Sequence, residues 1–105
     1  MSCYFIATIY TDNPQAQTEY LEYIRLVKPI VERHSGTYLV RSEELTALSD
    51  AWRPNRIIVI QFPDREHLDR CFQSPEYKEI ARKRENSVDS RAVIVEGLRK
   101  EEQTA

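Results

Sequence analysis

Glycine is nearly absent from this sequence: Gly36 and Gly97 are the two in 105 residues. A loop that cradles phosphate with successive backbone N–H groups needs several glycines close together, so a nucleotide loop of that kind is excluded. Cysteine is equally sparse. Cys3 and Cys71 stand far apart with no C-x-x-C spacing, which argues for reduced thiols in a cytoplasmic protein rather than a disulfide scaffold. The two histidines, His34 and His67, are scattered, and neither an H-E-x-x-H helix nor paired-cysteine spacing occurs. No metal site and no cofactor are expected from such a donor set. Long hydrophobic runs are missing too, so no segment reaches the length that spans a bilayer. The first residues carry no basic segment and Asp12 ends their apolar stretch, unlike a signal peptide. Charge of one sign is also lacking. A net charge of −2 gives no long-range attraction to nucleic acid or to an anionic membrane.

What is present suits a globular chain, with 41% hydrophobic and 30% charged residues. The length predicts one domain over 1–97 with a polar tail over 98–105. Its core is small enough that a partner subunit would help.

The elements follow in order. Residues 3–10 are aromatic and β-branched and read as a strand. Asn13 and Pro14 suit the cap and first position of a helix. Tyr20, Ile24, Val27 and Val31 then form one stripe, widened by Leu21 and Ile30, and Gly36 stops the helix. Thr37–Arg41 reads as the second strand, interrupted at Ser42-Glu43-Glu44 by a bulge and continued by Leu45–Leu48. Arg56–Phe62 is the third strand. Asp64 caps a short helix bearing Leu68, Cys71 and Phe72, and Ser74-Pro75-Glu76 restarts it. That helix runs to about Glu85. A polar link over 86–90 leads to the fourth strand, Arg91–Gly97.

This βαββαβ order matches the ferredoxin-like α+β arrangement: an antiparallel sheet, order 4-1-3-2, with two helices on one face. A sheet wet on one side should alternate apolar and polar residues. Strand three instead reads Ile57-Ile58-Val59-Ile60, and strand four Ala92-Val93-Ile94-Val95. Both faces therefore call for burial, and helices cover only one. A homodimer, sheet facing sheet, is the expected partner arrangement.

Several motifs resemble a known family. They are Tyr38-Leu39-Val40-Arg41, Trp52-Arg53-Pro54-Asn55-Arg56, Phe62-Pro63, Ser74-Pro75-Glu76-Tyr77 and Val93-Ile94-Val95-Glu96-Gly97. Together they are similar to small bacterial proteins of domain-of-unknown-function family 1330, from Tyr4 to Gly97. The resemblance implies the dimeric α+β barrel superfamily, which includes cofactor-free monooxygenases, muconolactone-isomerase-like enzymes and haem proteins. A histidine-ligated haem would have to use His34 or His67. One departure from the pattern is Ser35, where a second glycine is expected.

The leading candidate site joins Arg56, Arg84, Trp52 and Tyr77. On the last helix Tyr77, Ile80 or Ala81, and Arg84 share the face that meets the sheet. On strand three Arg56 shares parity with Ile58, Ile60 and Phe62, the bulkier set, which places it on the helix side. Two guanidinium groups at one pocket mouth suit a small carboxylate or enolate. The competing arrangement pairs both arginines with Asp50, Glu44 or Glu85 and closes the site. A secondary group is Arg41, Tyr38 and His34, with His34 and Tyr38 as candidate acid or base; against this, a helix-end histidine commonly bonds the last carbonyls. His67 reads as a surface residue. An RNA-binding role is rejected because strand three lacks the stacking aromatics of that module. The sequence thus points to a small-molecule binder or a cofactor-independent monooxygenase or isomerase, with a non-catalytic dimeric module as the alternative.

Overall fold

In a computed structural model, residues 2–11 and 14–98 are described, with the side chains of 14–17 excepted. The strands are β1 (Cys3–Tyr10), β2 (Thr37–Ser42), β3 (Arg56–Phe62) and β4 (Asp89–Glu96), and the helices are α1 (Pro14–Arg33), α2 (Arg65–Gln73) and α3 (Pro75–Glu85). They form one antiparallel sheet, order β2-β3-β1-β4, the expected ferredoxin-like topology. The sheet is open. The expected cap at Asn13 and the tail beyond Leu98 lie outside the described residues.

Alternation decides the two faces. Cys3, Ala7 and Ile9 of β1 and Ile60 and Phe62 of β3 are buried under the helices, with Phe5 and Ile58 packed beside them. Tyr20, Tyr23, Val27, Ile30 and Val31 of α1 complete that layer with Leu68, Cys71 and Tyr77. The assignment of Arg56, Ile58, Ile60 and Phe62 to the helix side holds. Leu21 was expected in the buried stripe but is exposed; Tyr23 takes its share of the interface instead. The opposite face carries Val40, Val59, Ile6 and Val93 in one row across all four strands.

Local chemistry explains the breaks. Asp64 accepts a hydrogen bond from the His67 backbone N–H at 2.8 Å and caps α2. Ser74 ends α2 and starts α3: its hydroxyl donates to the Cys71 carbonyl at 2.7 Å and accepts from the Tyr77 N–H. Pro75 fits the first position of α3, where no N–H is needed. At the end of α1 the chain turns through Ser35, whose φ is 67°. Ser35 therefore takes the left-handed conformation that a glycine usually supplies, while Gly36 serves close packing.

Two expectations about β2 need correction. The strand does not resume over 45–48: residues 43–55 form an irregular connection. The irregularity in pairing falls between Tyr38 and Val40, not at Ser42. β2 is an edge strand with a single neighbour, so extending it past the end of β3 would leave its backbone groups without partners. β4 starts at Asp89, two residues earlier than expected, because Tyr10 pairs with Asp89 and Ile9 with Ser90.

Candidate functional site

The site grows from one row of the sheet. Ile9 pairs with Arg56 on one side and Ser90 on the other. Arg56 and Ser90 are thus two strands apart, roughly 10 Å between Cα atoms, with the buried Ile9 between them. α3 brings Arg84 over the far end, where its Nη1 donates to the Ser90 hydroxyl. α1 brings Tyr20 over the middle. The Arg56 guanidinium carbon lies 6.0 Å from the Tyr20 ring centroid.

Two recesses meet here. A cleft of about 290 Å³ between sheet and helices is lined by Tyr20, Tyr23, Tyr77, Arg84, Ser90 and the apolar residues Phe5, Ala7, Ile9, Ile58, Phe72 and Ala92. A more polar recess of about 360 Å³ is lined by Tyr20, Ile9, Thr11, Leu21, Glu43, Asn55 and Arg56. Tyr20 and Ile9 belong to both. Asn55 fixes the rim: its N–H donates to the Ile9 carbonyl at 2.7 Å and its side-chain oxygen accepts from the Thr11 N–H at 2.8 Å.

The polar groups are unevenly satisfied. Tyr23 and Tyr77 share a hydrogen bond of 3.0 Å between their hydroxyls. The Tyr20 hydroxyl is buried without a partner, and so is Nε of Arg56. Arg56 Nη1 reaches Glu43 at 3.2 Å, but Glu43 is 70% exposed on the connection after β2. Arg84 meets Glu85 only at 3.8 Å. Burial opposes the charge of Arg84, and the neighbouring Tyr77 and Tyr23 hydroxyls together with Glu85 outweigh it, so its pKa is raised. Burial also raises the pKa of Tyr20, against the pull of Arg56 and Arg84, and that of Tyr23. The hydroxyls of Tyr20 and Tyr23 therefore stay protonated and are able to donate. The two recesses together present an apolar floor, a guanidinium at each end, and phenols between.

Of the leading candidates, Tyr77 and Arg84 line the cleft, and Arg56 lines the adjoining recess. Trp52 does not join them. It is 56% exposed and lines a separate apolar recess with Leu45, Leu48, Pro54 and Ile57. Ile57 belongs to the opposite sheet face, and the irregular course of 43–55 carries Trp52 there. Of the competing carboxylates Glu85 does meet Arg84, whereas Asp50 pairs with Arg53 at 3.2 Å and Glu43, not Glu44, meets Arg56. Tyr20 and Tyr23 were not singled out for the site. The signal was their place on the helix stripe beside the sheet, which marked Tyr20 as core only.

In the secondary group the Arg41 guanidinium carbon lies 5.2 Å from the Tyr38 ring centroid. Burial pushes the Tyr38 phenol up to about 12, too high for acid–base work near neutrality. His34 Nδ1, just past the end of α1, bonds the Ile30 carbonyl of its last turn at 2.8 Å. His67 Nδ1 bonds Asp64 at 2.7 Å. Neither histidine lines the cleft, so a histidine-ligated haem does not fit there. Among the described residues no three His, Cys, Asp or Glu side chains cluster as a metal would require, and no helix is long and apolar enough to cross a membrane.

Fold and cleft together define a ferredoxin-like α+β protein with a pocket between its helices and one sheet face. The chain belongs to the family described as domain of unknown function (DUF1330), whose model matches residues 2–98. Comparison with curated proteins found no match. Similar solved structures include a protein of unknown function from Rhodopseudomonas palustris, at 18% identity and a TM-score of 0.77 over 93% of this chain and 83% of that one. A dimeric ferredoxin-like protein of unknown function from Jannaschia has 11% identity and a TM-score of 0.75 over 92% of this chain and 100% of that one. SnoaB, a cofactor-independent oxygenase from Streptomyces nogalater, has 11% identity and a TM-score of 0.61 over 94% and 93%. At these identities the likeness is one of fold.

Proposed function

We propose that this protein binds a small organic acid in the cleft between sheet and helices, its carboxylate on Arg84 and its body over Ile9. The observation that carries this is the Tyr20 hydroxyl, 95% buried with its residue yet unpartnered, on the wall shared by the two arginine-bearing recesses. A buried donor without a partner costs stability, and a ligand oxygen relieves that cost. Arg84 has spare capacity, because its contact with the exposed Glu85 is long.

A catalytic reading has one observation in its favour. A charged guanidinium beside protonated phenols stabilises an enolate, and the cofactor-independent oxygenase from Streptomyces has the same fold. In that case Arg84 holds the developing negative charge, and Tyr20 and Tyr23 donate to it.

The proposal includes a homodimer through the open sheet face. Val93, Val95 and Val40 are 59%, 45% and 40% exposed there, around Ile6 and Val59. A contiguous apolar surface of this kind marks an interface, and the neighbour from Jannaschia is dimeric. The direct test of ligand binding is thermal unfolding with a panel of small carboxylates, compared with the Arg84→Ala variant. An acid that raises the melting temperature of the parent and not of the variant is the expected result. A panel without effect sinks the proposal.

A further inference from the structure

We infer that the ligand is a short dicarboxylate held at both ends, one carboxylate on Arg84 and the other on Arg56, with Glu43 occupying the second position when no ligand is bound. This rests on the organic-acid reading above and narrows it.

The geometry is one of shared walls. Arg56 and Ser90 flank Ile9 in a single sheet row, and Arg84 is fixed to Ser90. The two recesses join along Ile9 and Tyr20. A molecule lying over Ile9 therefore has a guanidinium at each end and an aliphatic floor beneath a short carbon spacer. The arginine at the second end is not an ordinary surface residue. Its side chain is 13% exposed, and Nε is buried without a partner. A guanidinium offers five donors in a fork that suits a carboxylate, and Glu43 engages Nη1. The Tyr20 hydroxyl, also unpartnered, lies under the electrostatic influence of both arginines. It is a donor placed between two anion seats.

Glu43 gives the second seat its character. Its carboxylate reaches Arg56 from an exposed position after β2. A pair this open to solvent is weak, so a ligand carboxylate displaces it readily. Glu43 is then a competitor of the ligand, and its removal should strengthen binding rather than weaken it. A structural ion pair has the opposite signature.

The experiment is calorimetric titration with succinate and glutarate against their monomethyl esters, at fixed ionic strength. Each ester keeps the length of its diacid and loses one charge. The diacid is expected to bind about tenfold or more tightly than the ester, the worth of one further charge-assisted pair. Arg56→Gln should bring the diacid down to the level of the ester. Glu43→Gln, on an exposed side chain where folding is not at issue, should tighten the diacid several-fold and leave the ester unchanged. Equal affinities for diacid and ester, both lost in Arg84→Ala, would overturn the two-ended site and leave the single-anion reading intact. Weaker diacid binding in Glu43→Gln also overturns it. Absence of binding by every acid overturns both.

Discussion

The Arg56 guanidinium lies 6.0 Å from the centroid of the Tyr20 ring, and each of these side chains keeps one buried polar atom without a hydrogen-bond partner. They sit where the two recesses meet. Folding alone gives no reason to leave both groups unsatisfied. A ligand oxygen in the proposed site would supply the missing partner.

Tyr20→Phe removes the orphan hydroxyl and keeps the ring over Arg56 and against Tyr23. Relief of an unsatisfied buried donor is worth about 1 kcal/mol, so the variant should be more stable than the parent by about that amount in urea unfolding. Its affinity for any acid that binds the parent should fall about tenfold. A variant that is less stable and binds normally would show the hydroxyl to be structural.

The turn after α1 makes a second, independent prediction. A Cβ on Gly36 would lie 2.5 Å from Val31 Cγ1, 2.9 Å from Phe62 Cε1 and 3.0 Å from the Val31 carbonyl oxygen. Val31 and Phe62 are both fully buried. Gly36→Ala should therefore cost about 1–3 kcal/mol by overpacking. Ser35→Gly should act in the other direction. A left-handed L-residue costs about 1–2 kcal/mol, and the added chain entropy of glycine takes back about 0.5–1 kcal/mol. A net gain of about 0.5 kcal/mol is expected. Denaturant midpoints of the two variants check both signs; a loss in Ser35→Gly would contradict the assignment.

Much of this was legible in the sequence because the signals are local. Asp64 and Ser74 mark helix starts by hydrogen bonds that span three residues, Pro75 marks one by its fixed backbone angle, and β1 and β3 fall at Cys3–Tyr10 and Arg56–Phe62 as their composition implies. The parity of Arg56 with Phe62 was enough to put it on the helix side. The errors share another cause. Leu45 and Ala47 alternate like a strand, but a strand needs a neighbour, and beyond the Ser42–Ile57 pair β3 reaches its first residue, Arg56. The direction of Trp52 depended on that same segment, so it was misplaced with it. Tyr20 was visible as a core residue. Its unpartnered hydroxyl was not, because hydrogen-bond satisfaction is a property of the packed fold and not of spacing.

The open sheet face leads to a prediction about assembly. Val93 lies in the row with Ile6, Val59 and Val40 and is 59% exposed in the single chain. Val93→Glu should consequently disturb the fold of one chain little. A carboxylate buried without a partner at a two-fold interface is costly, so the dimer should weaken by about 100-fold or more. Light scattering at micromolar concentration should give half the mass of the parent, with the far-ultraviolet circular dichroism unchanged. A parent that already runs as a monomer would refute the interface.

The acid limb of stability should report on Asp64. Its carboxylate accepts from the backbone N–H of His67 and from the ring nitrogen of the same residue, at 2.8 and 2.7 Å. The backbone bond leads, and the side-chain bond adds to it, in holding the pKa below the usual value of 3.8. A carboxyl group depressed on folding stabilises the protein above its unfolded pKa. That contribution fades as pH falls through the lower folded value. Asp64→Asn retains a capping oxygen and loses the titration. The parent should therefore exceed the variant in stability at about pH 5, and the gap should narrow as the pH falls below the usual carboxylate range. Urea midpoints at several pH values across that range follow the gap directly. A gap that stays constant to the lowest pH would mean that the negative charge of Asp64 plays no part in holding the start of α2.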